Sequence, residues 1–148
     1  MKEGDILFVC RTLKQPGERE NEVPRPKGRG FCQGLQPDGV STDGHRGNRA
    51  GPVYDLPTTM AKLIALGFSL NQVVEMATLN AARLLGRPKE LGTLRIGQPA
   101  DISVLRLEDR EWTAVDSQKG AIPAKQALVP VYAIRRDTIY KALPAERP

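Results

Sequence analysis

The spacing of apolar positions changes character four times along the chain, and each change predicts an element. Ile6-Leu7-Phe8-Val9-Cys10 is an unbroken apolar run after Gly4-Asp5, and it predicts a short buried strand like the inner strand of a parallel sheet. From Lys14 to about residue 36 the apolar content drops, and Pro16, Pro24 and Pro26 stand among glycines and mixed charges. Such a segment buries too little surface to offset its ordering entropy, so it predicts a mobile linker. The β-branched run Gly39-Val40-Ser41-Thr42 predicts a second strand, followed by a glycine-rich loop.

Helical spacing begins at Thr58. Met60, Leu63, Ile64 and Leu66 share one face, Pro57 suits a first turn, Asp55 or Thr58 can cap, and Gly67 stops the helix. Ser69 with Gln72 forms a capping-box signature for a second helix carrying Leu70, Val73, Val74, Ala77, Leu84 and Leu85 as far as Gly86. A break is expected at Thr78-Leu79-Asn80, where Asn80 would cap a new segment. From Gly92 the period falls to two. Strands are expected at Gly92–Gly97, Ala100–Leu107, Trp112–Val115, Gln126–Val129, Val131–Arg135 and Thr138–Tyr140. Turns fall at Gln98-Pro99 and Arg136-Asp137, and the tail from Pro144 should fray.

Composition narrows the function classes. At 148 residues the chain suits one ordinary domain, but a complete barrel of eight strand-helix units needs about 250 residues. The net charge of +5 would allow acidic partners. Much of the basic excess, however, lies in the first fifty residues, off any single helix face and with few aromatics beside it. No base-stacking platform follows, and nucleic-acid binding ranks last. Cys10 and Cys32 form no Cys-x-x-Cys pair and read as reduced thiols. No apolar run approaches the ~20 residues of a membrane span, and the start has no apolar signal core, so a cytoplasmic protein with no membrane partner is expected.

Candidate chemistry concentrates in Pro37–Pro57. His45, the only histidine, lies two residues after Asp43. The order strand, carboxylate, loop, helix is the one α/β barrels use at the C-terminal ends of their strands, where they place their chemistry. A carboxylate there can ligate a metal or accept a proton. The competing reading makes Asp43 a turn cap and His45 a solvated loop residue.

Several motifs resemble the amidohydrolase superfamily, nearest to its dihydroorotase-like amidohydrolase/deacetylase branch. They are Pro37-Asp38-Gly39-Val40-Ser41-Thr42-Asp43 with His45, Gly51-Pro52-Val53-Tyr54-Asp55-Leu56-Pro57-Thr58-Thr59-Met60, and Ala77-Thr78-Leu79-Asn80-Ala81-Ala82-Arg83-Leu84-Leu85-Gly86. A fourth, from Gly92-Thr93-Leu94 to Gly97-Gln98-Pro99-Ala100-Asp101-Ile102, is similar to the family's return into its β-sandwich. The resemblance implies an α/β fold, here the C-terminal fragment of a metal-dependent (β/α)8-barrel hydrolase: the last strand-helix unit plus a partial β-sandwich. The expected organisation is a remnant barrel strand at 1–13, the linker at 14–36, the strand-helix unit with its following helices at 37–90, and the partial sandwich at 91–143. The resemblance also implies a divalent metal, zinc foremost, and a small-molecule amide or cyclic-imide substrate whose C–N bond is hydrolysed. Asp43 matches the family's aspartate, both a metal ligand and the catalytic carboxylate. His45 matches a motif position without an assigned ligand's role. Arg46 and Tyr54 are near enough to line a substrate mouth, but read as ordinary loop positions.

The sequence departs from the family pattern in one decisive respect. It has no His-x-His and no histidine besides His45, and Val9 stands where the branch carries a metal-binding histidine. One carboxylate and one imidazole fall short of a metal centre of three or more protein ligands. The expectation is therefore a hydrolase segment that binds no metal and is inactive alone, with a non-catalytic binding or scaffold module as the alternative. The apolar faces of Leu63, Ile64, Val73 and Val74 should lack their barrel partner and promote self-association.

Overall fold

The computed structural model describes residues 7–9, 37–116 and 119–143. The expected linker at 14–36, both cysteines and the tail from Pro144 lie outside the described residues. The elements run β1 (Leu7–Val9), β2 (Gly39–Ser41), α1 (Leu56–Ala65), α2 (Leu70–Ala77), α3 (Leu79–Leu84), β3 (Asp101–Val115), β4 (Ala121–Arg135) and β5 (Thr138–Lys141).

The helices begin where their caps dictate. Asp55 is extended, and its Oδ1 accepts the Thr58 N–H at 2.8 Å, so α1 starts at Leu56 with Pro57 in its first turn. Ser69 and Gln72 close both halves of a capping box on α2. The break falls at Thr78, as the sequence suggests. Thr78 rather than Asn80 takes the cap position of α3, and it makes no side-chain cap bond. Asn80 lies inside α3, where its Oδ1 accepts from Arg83 at 2.8 Å.

The β region departs further from expectation. No strand forms at Gly92–Gly97; these residues turn, because Gly92 and Gly97 adopt φ of +79° and +89°. At Gly92 an added Cβ would meet the Thr78 carbonyl at 2.7 Å, so the loop passes tightly over the α2–α3 junction. Ala100–Leu107 and Trp112–Val115 are one strand, β3, irregular between Asp109 and Trp112. Gln126–Val129 and Val131–Arg135 likewise belong to one strand, β4, which continues through Pro130. Pro130 pairs with Leu105 beside a register shift, where a missing N–H costs least. The hairpin turn at Arg136-Asp137 forms as expected and completes an antiparallel sheet of order β3-β4-β5.

β1 pairs with β2 antiparallel, Phe8 opposite Val40, which corrects the parallel placement expected for β1. A parallel pair needs a crossover of a dozen or more residues, usually a helix. The sequence between these strands has no apolar run at helical spacing from which to build one.

The core also closes differently. Met60, Leu63, Phe68, Val73 and Met76 cluster with Leu128 of β4. Leu63 and Val73 are fully buried and Ile64 packs against the cluster, so of the four residues expected to lack a partner only Val74 stays exposed, at 41 %. The helices thus bury their apolar stripe on β4, at about 1.5–3 kcal/mol for each large side chain removed from water. Among the described residues no helix is long and apolar enough to cross a membrane.

Candidate active site

The loop between β2 and α1 carries every residue the sequence singled out. Asp43, two residues beyond β2, has φ +46° and is exposed, and its carboxylate makes no hydrogen bond among the described residues. Its own N–H points at Ser41 Oγ at 3.5 Å, and the Gly44 N–H donates to Thr42 Oγ1 at 3.2 Å.

His45 is half-buried. Its Nδ1 accepts the Gly47 N–H at 3.0 Å, so the neutral ring carries its proton on Nε2. Nε2 is buried and has no partner among the described residues. With one nitrogen accepting and the other protonated, the imidazole offers no lone pair to a metal in this arrangement. Arg46 is exposed. Tyr54 has φ +60°, and its hydroxyl packs over Gly51.

Two residues that the sequence reading passed over organise this loop. Asn48 is 3 % exposed; its Oδ1 accepts the His45 N–H at 2.8 Å and its Nδ2 donates to the Asp43 carbonyl at 3.0 Å. Its backbone carbonyl accepts from Gly51 and Val53 at 3.0 and 3.2 Å. The sequence signal was the spacing: an Asn three residues after His45, the reach of a side chain to a neighbouring backbone group. Lys62, on the second turn of α1, is buried at 6 % exposure. Its Nζ donates to the Pro52 carbonyl and, at 2.9 Å, to the Val115 carbonyl, so one ammonium ties the loop to the end of β3. Burial lowers the Lys62 pKa, and the charge of Asp116 opposes that shift in part. A pocket of about 240 Å³ opens beside it, lined by Pro52, Tyr54, Lys62, Trp112 and Thr113.

This donor set does not fit a metal ion. Among the described residues no three His, Cys, Asp or Glu side chains gather closely enough to hold one. Asp43 offers a free carboxylate, and His45 has its lone pair engaged. What the arrangement does supply is one solvent-facing carboxylate on a left-handed turn two residues beyond a strand.

The amidohydrolase family profile matches residues 29–131, more than half of the chain. The chain belongs to the amidohydrolase family. A deacetylase of Agrobacterium fabrum is 37 % identical over 104 residues, which cover 70 % of this chain and 25 % of that protein. A deacetylase of Enterococcus faecalis is 35 % identical over 109 residues, 73 % of this chain and 29 % of that protein. The crystal structure of an adenine deaminase superposes with a TM-score of 0.70 at 33 % identity, over 74 % of this chain and 30 % of that one. A dihydroorotase structure follows at TM-score 0.66 and 34 % identity, with the same coverage. The amidohydrolase chain described here thus spans about a quarter of the length of the deacetylases it matches. The family expected from the motifs around Asp43 is the one found.

Proposed function

We propose that this chain is the C-terminal part of a metal-dependent amidohydrolase that cleaves C–N bonds in small amides or cyclic imides, with Asp43 as its site carboxylate. The observation that carries the reading is the position of Asp43: a carboxylate without a hydrogen bond among the described residues, on a left-handed turn two residues after β2 and before α1, inside the family match. In that place a carboxylate can take a proton from the attacking water and return it to the leaving amine. The reading assigns the barrel-type unit to 37–90 and the sandwich part to 91–143. Zinc is the metal it favours, bound only once ligands from outside this chain complete the centre. A cytoplasmic setting belongs to the same reading.

The test is a chimera in which residues 37–143 replace the matching segment of a full-length deacetylase relative. A folded chimera should hydrolyse its amide substrate, and Asp43→Asn should lower kcat on the order of 100-fold or more, the scale of lost acid–base catalysis. Equal rates for the chimera and its Asp43→Asn form would overturn the assignment.

A non-catalytic module is the second reading, and the closed core favours it: Leu63, Val73 and Leu128 pack together within the chain. It predicts cooperative unfolding that added metal does not shift. Self-association fits either reading, now through exposed Leu84, Leu85, Ile139 and Tyr140.

A further inference from the structure

We propose that Asn48 is the positioning residue for Asp43, holding the backbone from which the site carboxylate projects. The proposal rests on the reading of Asp43 as that carboxylate. A non-glycine residue at φ +46° costs on the order of 1 kcal/mol and persists only where its surroundings impose it. The Asp43 carboxylate forms no hydrogen bond among the described residues, so no turn bond of its own side chain imposes it. Ser41 Oγ lies 3.5 Å from the Asp43 N–H, a weak contact. Thr42 Oγ1 accepts the Gly44 N–H at 3.2 Å and closes a turn across Asp43, but that bond is exposed to water, whereas the Asn48 amide is buried.

Asn48 is different in kind. A buried amide is stable only when both of its ends are satisfied, and here both ends go to the Asp43 turn. Nδ2 donates to the Asp43 carbonyl and Oδ1 accepts the His45 N–H, so the two bonds close on either side of Gly44. The same residue's carbonyl receives the Gly51 and Val53 N–H groups. One side chain therefore sets the front of the loop while its backbone sets the rear, and α1 follows from that fixed point through the Asp55 cap. A carboxylate exchanging protons must stay aimed at its partner, and small misplacements carry large rate penalties. Asn48 supplies the aim while the carboxylate itself stays unengaged.

The two bonds can be separated by substitution. Asn48→Asp keeps the acceptor for the His45 N–H and removes the donor to the Asp43 carbonyl; Asn48→Ala removes both. In ¹⁵N-labelled chain, Asn48→Ala should speed amide exchange at His45 about tenfold, the equivalent of one hydrogen bond, while amides of α1 and β4 keep their protection. Asn48→Asp should retain the His45 protection yet shift the Asp43 and Gly44 resonances. In the chimera, Asn48→Asp should lower kcat with KM unchanged. Unchanged Asp43–His45 resonances and exchange in both variants would overturn the proposal, as would equal loss of protection throughout the chain. These backbone readouts stand apart from the hydrolase reading, which the Asp43→Asn rate decides.

Discussion

The core and the Asp43 loop sit next to each other and are held by opposite means. In the core, α1 and α2 press Leu63, Val73 and Met76 onto Leu128, and the stabilisation is non-directional, proportional to the apolar area removed from water. In the loop, from Asp43 to Asp55, almost nothing apolar is buried except Val53. Order there comes from polar side chains that bind backbone: Asn48 at one end, Asp55 at the other, and Lys62 reaching back from α1 to the Pro52 carbonyl. A core tolerates changes that preserve volume. A loop built this way tolerates few changes of hydrogen-bonding type, yet leaves one carboxylate free.

The largest effect should come from the core. Leu63→Ala removes a fully buried side chain and should cost about 3 kcal/mol in urea unfolding. Lys62→Met, which keeps the apolar stem but strands the Pro52 and Val115 carbonyls, should cost about 2 kcal/mol. It also sharpens the contrast through pH. Because burial lowers the Lys62 pKa in the folded state, the unfolded chain binds more protons between the folded value and the ordinary 10.5. This group's contribution to stability therefore rises with pH across that window. Unfolding curves should show a smaller alkaline rise in Lys62→Met than in the unaltered chain.

Ser69→Ala opens the capping box of α2 and should cost about 1 kcal/mol, read as a fall in Tm. Asp43→Asn should be the mildest, within about 0.5 kcal/mol, since the carboxylate is exposed and unbonded and Asn tolerates a left-handed backbone. A large loss of stability in Asp43→Asn would mean that the carboxylate serves the loop and not a reaction.

What could be read from the sequence follows the same division. The caps at Asp55 and Ser69, the break at Thr78 and the turn at Arg136-Asp137 were legible because each is a local bargain between a side chain and nearby backbone. The surface that α1 and α2 bury against was not legible, because Leu128 is distant in sequence and the pattern divides β4 at Pro130 into two short strands. The strand expected at Gly92–Gly97 fails for a backbone reason: alternation specifies which face a side chain takes, but two positive-φ glycines prevent extension. Asp43 stood out in the sequence as a candidate because a motif surrounds it. Asn48 and Lys62 were not, since a polar residue that turns inward has the same letters as one that faces water.

On the proposed function, Asp43 is the site carboxylate of a metal centre that this chain does not assemble by itself. Elemental analysis of the purified chain after zinc loading and extensive dialysis, with Asp43→Asn in parallel, is the measurement that decides this. Zinc is expected well below one equivalent in both. One equivalent of tightly held zinc, lost on Asp43→Asn, would overturn the reading.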